Sequence, residues 1–570
     1  MNSVMKPLLL GLIPLLLATS LSRATVRMPA LFGDHMVLQQ AVKVPVWGTT
    51  LAGETVNVTL GDHTGSAVAD ADGKWRVDLK PFPANAAPMT LTVKGASNTL
   101  TFQDVVIGEV WVASGQSNME VPINWMPDAA QIAAASTDTQ LRKFFVEHNP
   151  YQATSLTPRD DVTGHWAICD PGTCNNYSAV SYFFGRELRA HLKQPVGIID
   201  SYVGGTPASS WISLSGLMKA PAFPVYVDKF YDAKVSAVTF EQNVADTQYQ
   251  MNLWSDQYLA SIAHALTQWK SDSRNAEAGN NAQGNIAQVE PPPNMPRFPD
   301  NPAHSRYTPT VLFNGMIAPL MPYAIKGVIW YQGEDNGVVL DHAHEYATLF
   351  PRLITDWREK WGEGDFPFLY VQLASFTRDD IGGPGGFNFA VLRESQAKTL
   401  SLPKTGMVTA IDIGAGTDIH PKDKLDVGKR LALAARHVAY GEDLVYTGPT
   451  YDKMAVEGGT IRVSFTNIGG GLLSAAPPWH APNVDPTPAS PLLGFTIAGA
   501  DKKFVAADAK VDGSSVIVSS AQVPNPVAVR YYWDNLTQAN LYNKEGLPAF
   551  PFRSDTWDDV PSPANPPGMH

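Results

Sequence analysis

The stretch "VVIGEVWVASGQSNME", Val105 to Glu120, is an apolar, β-branched run that stops abruptly at Ser-Gly-Gln-Ser-Asn. A serine held at the tip of such a strand has an exposed hydroxyl and a backbone N–H pointing the same way. Its alkoxide is unavailable at neutral pH, so an imidazole has to take the proton. His420, in "DIGAGTDIHP", follows a comparable strand, and Asp418, two residues earlier, could fix its tautomer and stabilise the cation. An oxyanion would then need donors. Backbone N–H groups of Ser117 and of the Gly204-Gly205 turn could supply two, and the Gln332 amide in "YQGEDN" a third. Together these would make an acyl-transfer site. Taken singly the signals are modest: Met119 breaks a Gly-x-Ser-x-Gly frame, and a plain turn serine is the simpler reading. Glu334 and Asp335 could form an acid/base pair, although carboxylates after a strand are usually solvated.

Positioning these groups falls to an open sheet. After Asp104, apolar strands alternate with helical segments, the pattern of a parallel sheet covered on both faces. Strands are expected at Val105–Ala113, Val196–Asp200, Ile325–Tyr331, Phe368–Leu373 and Met407–Ile411. Helices are expected in "SAVSYFFGRELRAHL", "EYATLFPRLITDWREKWG" and "DVGKRLALAARHVAY", the first capped by Ser178. Ligands in such sheets sit beyond the carboxyl ends of the strands. Those ends read "SGQSNME", "DSYVGGTPASSW", "YQGEDN" and "DIGAGTDIHP". The fold would bring four distant clusters to one rim, which strengthens every candidate at once.

The chain has 570 residues, more than one domain usually holds, and its 45 Gly and 45 Pro imply many turns. Residues 1–24 read as an export signal: Lys6 precedes the apolar run Leu8 to Leu17, and Ser22-Arg23-Ala24 supplies a cleavage site. That run is too short to span a bilayer, so the mature protein is expected to be periplasmic or secreted, without a membrane span. Period-two alternation over 25–103 predicts an N-terminal β domain, and β patterns return over 444–570. The α/β domain between them, 104–443, carries an insertion at about 212–306, helical and then irregular. Net charge is -12, from 42 basic and 54 acidic residues with no basic run, which argues against nucleic acid as a partner. Cys169 and Cys174, in "CDPGTC", flank a turn and predict a small disulfide loop in an oxidising compartment. Two thiols are half a metal-ligand set, so no metal is expected.

The motifs "LFGDHMVLQ", "GEVWVASGQSNME", "GIIDSYVGGTPASSW", "NGMIAPLMPYAIKGVIWYQGEDN", "DIHPKDKLDVGKRLALAA" and "NLYNKEGLPAFPFRSDTW" resemble the sialate O-acetylesterase-like carbohydrate esterases of the SGNH hydrolase superfamily. The resemblance runs from about Leu31 to Trp557. It implies a flavodoxin-like SGNH domain with a parallel sheet, flanked by N- and C-terminal β-sandwich-like domains. It also implies removal of O-acetyl groups from sugars without a cofactor. On this resemblance Ser117 is the nucleophile, His420 the general base, Gly205 the oxyanion glycine and Gln332 a substitute oxyanion donor. Thr417 stands where the superfamily's aspartate would be, leaving Asp418, Asp412 or a backbone carbonyl to orient the imidazole. Glu334 replaces an expected asparagine.

The substrate expected is an acetylated oligosaccharide or polysaccharide. Sialate carries a carboxylate, normally met by arginine, and no rim motif offers an obvious clamp. The 14 tryptophans suit neutral sugars, with Trp125, Trp211 and Trp330 near rim motifs. Trp211, Trp330, Glu334 and Asn336 are therefore candidate substrate-binding residues, and acetylated plant hemicellulose (xyloglucan or xylan) is the expected substrate, with O-acetyl sialic acid as the alternative. A glycosidase using Glu334 with Asp335 or Asp200 would leave Ser117 idle and would need carboxyl groups facing one sugar bond. A non-catalytic glycan-binding protein would bind sugar without hydrolysis.

Overall fold

Seven strands form the layer that carries the rim: Thr99–Gly115 (β1), Asp138–Val146 (β2), Gly164–Cys169 (β3), Val196–Tyr202 (β4), Gly327–Tyr331 (β5), Phe368–Gln372 (β6) and Thr405–Thr409 (β7). Their order is β7-β6-β5-β1-β4-β2-β3. All neighbours are parallel except β2 and β3, which pair antiparallel, so the sheet is mixed. The computed structural model describes residues 25–148, 153–220, 223–277, 305–377, 387–476 and 491–557. The expected export signal, the irregular end of the insertion and most of the Pro-rich passage after Ala476 lie outside them.

Burial explains why the central strands are continuous apolar runs. Every residue of β4, β5, β6 and β7 is buried, as expected where helices cover both faces. Besides two short helices, Ala129–Ala134 and Leu214–Met218, the described residues form the helices Ser117–Glu120 (α1), Ala179–Leu192 (α2), Pro224–Glu277 (α3), Leu340–Trp361 (α4), Phe389–Lys398 (α5) and Lys424–Val438 (α6). Ser178 caps α2, its hydroxyl accepting from Ser181 N at 3.1 Å. On one face Trp111 of β1 meets Phe184 of α2, ring centroids 5.2 Å apart. On the other Trp330 of β5 lies at 6.0 Å from Phe350 of α4.

The strand β1 runs unbroken through the expected boundary at residue 104. Its first part pairs antiparallel with Asn85–Lys94, and its last part lies in the central sheet. Asp104 marks the change with φ 54 and an ion pair to the buried Arg142 at 3.0 Å. One hydrophobic cluster accordingly joins the N-terminal strands to the α/β layer. The C-terminal region forms two four-stranded sheets and a two-stranded one around a second cluster, which Ile411, just after β7, also enters. That explains why the last strand ends at Thr409 rather than at Ile411.

The insertion's helical part is longer than its pattern suggests, since α3 spans 54 residues. No helix among the described residues is long and apolar enough to cross a membrane. The expected disulfide is corrected: Cys169 and Cys174 are both buried free thiols. The turn between them closes on Asp170, whose carboxylate accepts from Gly172 N and Thr173 N, and Cys169 Sγ points to Ser136 O at 3.1 Å.

Candidate active site

At the end of β1 the chain must turn sharply without leaving its neighbour β5. Gln116 N donates to Tyr331 O at 3.0 Å, and a Cβ on Gly115 would stand 2.2 Å from that same oxygen. With φ +133, only glycine fits there. The turn delivers Ser117, half-buried, to the first position of α1. Gln116 fixes the turn from below, its Oε1 accepting from Gly333 N and Asp335 N at 3.3 and 3.4 Å. Gly204 lies directly against the serine: a Cβ added to it would be 3.3 Å from Ser117 Cβ. Gly205, φ +61, faces the Arg306 guanidinium instead, 3.4 Å from the same construction.

The loop after β7 supplies the imidazole. Asn118, beside Ser117, donates through Nδ2 to Ile419 O at 2.9 Å, which ties the serine turn to the residue preceding His420. His420 Nε2 is buried and has no hydrogen-bond partner among the described residues, Ser117 Oγ included. Burial holds the imidazole below its ordinary pKa, and the Lys424 ammonium adds to this; Asp418 and Glu120 pull the other way. The exposed Trp125 stands edge-on to the ring, centroids 6.5 Å apart.

Beneath both elements lies a buried polar triad. Lys424 Nζ donates to Asn118 Oδ1 at 2.5 Å, and Asn118 Nδ2 also reaches Glu334 Oε1 at 2.5 Å. Burial brings the lysine down to about 7, with Glu334 the main group holding it up. Burial likewise raises the Glu334 carboxyl. Asn118 and Lys424 are functional residues that the strand-end motifs alone do not mark. Lys424 did carry a signal, because a cation in the first turn of a helix opposes the helix dipole and needs a reason to be there.

Several expected roles are corrected by these contacts. The Gln332 amide is fully buried and donates to Thr206 O at 3.0 Å and to Asn336 Oδ1 at 2.8 Å, so both its hydrogens are committed. Asn336 is also buried, and its oxygen additionally accepts from Ala208 N. Glu334 is 4% exposed and turned into the triad rather than toward a ligand. Trp211 and Trp330 are both fully buried and pack edge-to-face on each other at 6.0 Å, so neither offers a face to a sugar. Asp418 sits 4.0 Å from His420 Nδ1, beyond hydrogen-bond reach, and its Oδ1 accepts from the histidine's own backbone N at 2.9 Å. Asp412 is excluded as orienter because both its oxygens hold Arg430, at 2.7 and 2.8 Å. Asp200 is locked in a buried ion pair with Lys143 at 2.6 Å, which removes it from any carboxylate pair. Among the described residues no cluster of His, Cys, Asp or Glu could hold a metal ion.

Comparison with known proteins bears on this arrangement. Residues 305–437 match the family model for carbohydrate esterases described as sialic acid-specific acetylesterases. The structure of a carbohydrate acetylesterase from Xanthomonas citri is 36% identical, covers 94% of this chain and 100% of its own, and superposes with a TM-score of 0.72. Sialate O-acetylesterase of Rattus norvegicus is 29% identical over 487 residues, 79% of this chain and 81% of its own length. The Homo sapiens sialate O-acetylesterase is 28% identical over 490 residues, 78% of each chain. This chain belongs to the carbohydrate acetylesterase family that includes the sialate O-acetylesterases, and is a carboxylic ester hydrolase.

Proposed function

We propose that the protein is an exported serine esterase of the SGNH type that removes acetyl groups from plant hemicellulose oligosaccharides. In this reading 104–443 is the esterase domain, and the β regions at 25–103 and 444–570 flank it. The strands β4-β1-β5-β6-β7 follow the doubly wound 2-1-3-4-5 order, which supports a flavodoxin-like core. The observation that carries the mechanism is the Asn118 to Ile419 hydrogen bond, which couples the serine turn to the histidine loop.

Ser117 Oγ attacks the acetyl carbonyl carbon while His420 Nε2 takes its proton. The carbonyl oxygen becomes an oxyanion held by backbone N–H groups of Ser117 and of the Gly204-Gly205 turn. Collapse expels the sugar oxygen, which receives the proton from His420, and leaves an acetyl-serine. Water, deprotonated by the same imidazole, then releases acetate and restores the serine. Asp418 acts as a nearby charge that favours the imidazolium, not as a bonded orienter.

The exposed Trp125 beside His420 supports a neutral sugar, since its face can cover a pyranose ring. The Arg306 guanidinium against Gly205 supports the second reading, an O-acetyl sialic acid whose carboxylate it would meet. Acetate release from acetylated xyloglucan or xylan and from O-acetyl sialic acid separates the two. Hemicellulose is expected to win in kcat/KM, with Trp125→Ala weakening it. A preference for sialate that Arg306→Ala abolishes would overturn the hemicellulose reading.

A further inference from the structure

We propose that Lys424 is a positioning residue for deacetylation, acting through Asn118 to hold the Ser117 turn against the His420 loop, and that the site uses its charge as well as its bulk. The inference rests on the Ser117–His420 reading and goes beyond it.

A lysine is an expensive choice for this position. Its side chain is fully buried at the first turn of α6, where the helix dipole opposes a cation. An apolar side chain would fill the same space without desolvating a charge. What the ammonium gains is directional. It donates to Asn118 Oδ1 at 2.5 Å, so the amide must turn its two hydrogens away. Those hydrogens go to Glu334 Oε1 and to Ile419 O. The lysine therefore fixes which way Asn118 points, and Asn118 fixes the distance between the serine turn and the histidine loop. Glu334 Oε2 is buried without a hydrogen-bond partner among the described residues, and the Glu334 carboxylate is the main group that favours the Lys424 ammonium against its burial. The ammonium also lies 5.3 Å from the centre of the Tyr331 ring, on the strand that neighbours β1.

The same charge faces the imidazole. Four groups act on His420 from three elements: Lys424 from α6, Asp418 and Lys422 from its own loop, and Glu120 from α1. Glu120 is itself paired with His148 at 2.9 Å. Among the four, Lys424 has the largest effect after burial, and it disfavours the imidazolium. A neutral side chain at this position would let His420 protonate more readily. The acid limb of kcat/KM would then move to higher pH, an effect that loss of packing alone does not produce.

The test compares wild type with Lys424→Met, Lys424→Gln and Lys424→Arg, using p-nitrophenyl acetate turnover against pH together with thermal melting. Lys424→Met is expected to lower kcat by about 10- to 100-fold with little change in KM. Its acid limb should shift up by roughly half a unit to one unit. Lys424→Gln shifts the limb the same way, and Lys424→Arg leaves it at the wild-type position while restoring part of kcat. If neither neutral variant folds, the arginine variant decides: a displaced limb overturns the proposal. A folded methionine or glutamine variant with wild-type kcat overturns it too, as does a lower kcat with an unmoved limb. All three results leave Ser117 and His420 untouched, since their own variants test them separately.

Discussion

Asn118 Nδ2 donates to Ile419 O at 2.9 Å, joining residues 301 positions apart in the chain. The same amide meets the buried Lys424 and Glu334. Replacing it by alanine takes a hydrogen-bond partner from two buried charged groups, so Asn118→Ala should lose about 2 kcal/mol or more of stability and most of its turnover. Chemical denaturation with parallel esterase assays checks both. Wild-type stability in this variant would show that the triad does not join the two loops.

Asp418 predicts a weak phenotype. At 4.0 Å from the ring and 46% exposed, it does not hold the tautomer by a direct bond. Asp418→Asn should cost less than about 10-fold in kcat, against the roughly 10⁴-fold loss when a bonded triad aspartate is replaced. Because Asp418 favours the imidazolium, its loss should also move the acid limb of kcat/KM to lower pH.

Wild-type activity should persist below the ordinary histidine range. Burial and Lys424 hold the His420 imidazole under 6.5, so the base stays neutral and active there. The rate then falls at still lower pH as the ring takes a proton. A kcat/KM profile recorded in several buffers measures this directly, and a limb above 6.5 would contradict it.

Gly204 touches Ser117 without needing a left-handed backbone, so alanine there should fold. Its Cβ would stand 3.3 Å from Ser117 Cβ and 2.9 Å from Glu120 Oε2, crowding the space around the nucleophile. Gly204→Ala is expected to melt within a few degrees of wild type yet turn over at least about 10-fold more slowly. Equal rates would place the reacting carbonyl elsewhere.

Trp125 separates sugar binding from chemistry. Its ring is 56% exposed beside His420. Trp125→Ala should raise KM for acetylated oligosaccharides about fivefold, equivalent to about 1 kcal/mol of stacking. The small aryl ester should be unaffected. Equal KM on both would remove Trp125 from the sugar site.

The rim was legible because apolar strands ending in small polar clusters mark the carboxyl edge of a parallel sheet. Two strands were not. β2 carries Arg142 and Lys143 in its centre, and two adjacent charges mask a buried strand unless their partners Asp104 and Asp200, distant in sequence, are known. Sequence also placed Trp211 and Trp330 near the rim without saying which way they point. Trp330 alternates into the face covered by α4, and Trp211 packs against it. Gln332 looked free because its partners, Thr206 and Asn336, are contributed by two different loops. The disulfide expected between Cys169 and Cys174 fared no better: the turn forms and the two thiols meet, but they are not bonded.

The central claim is that Ser117 is the acylated residue. A serine-directed organophosphonate, with peptide mass spectrometry to locate the adduct, tests it most directly. The account predicts a single adduct on Ser117, formed in step with loss of acetate release and slowed severely in His420→Gln. An adduct on another serine, with Ser117→Ala still releasing acetate, would contradict it.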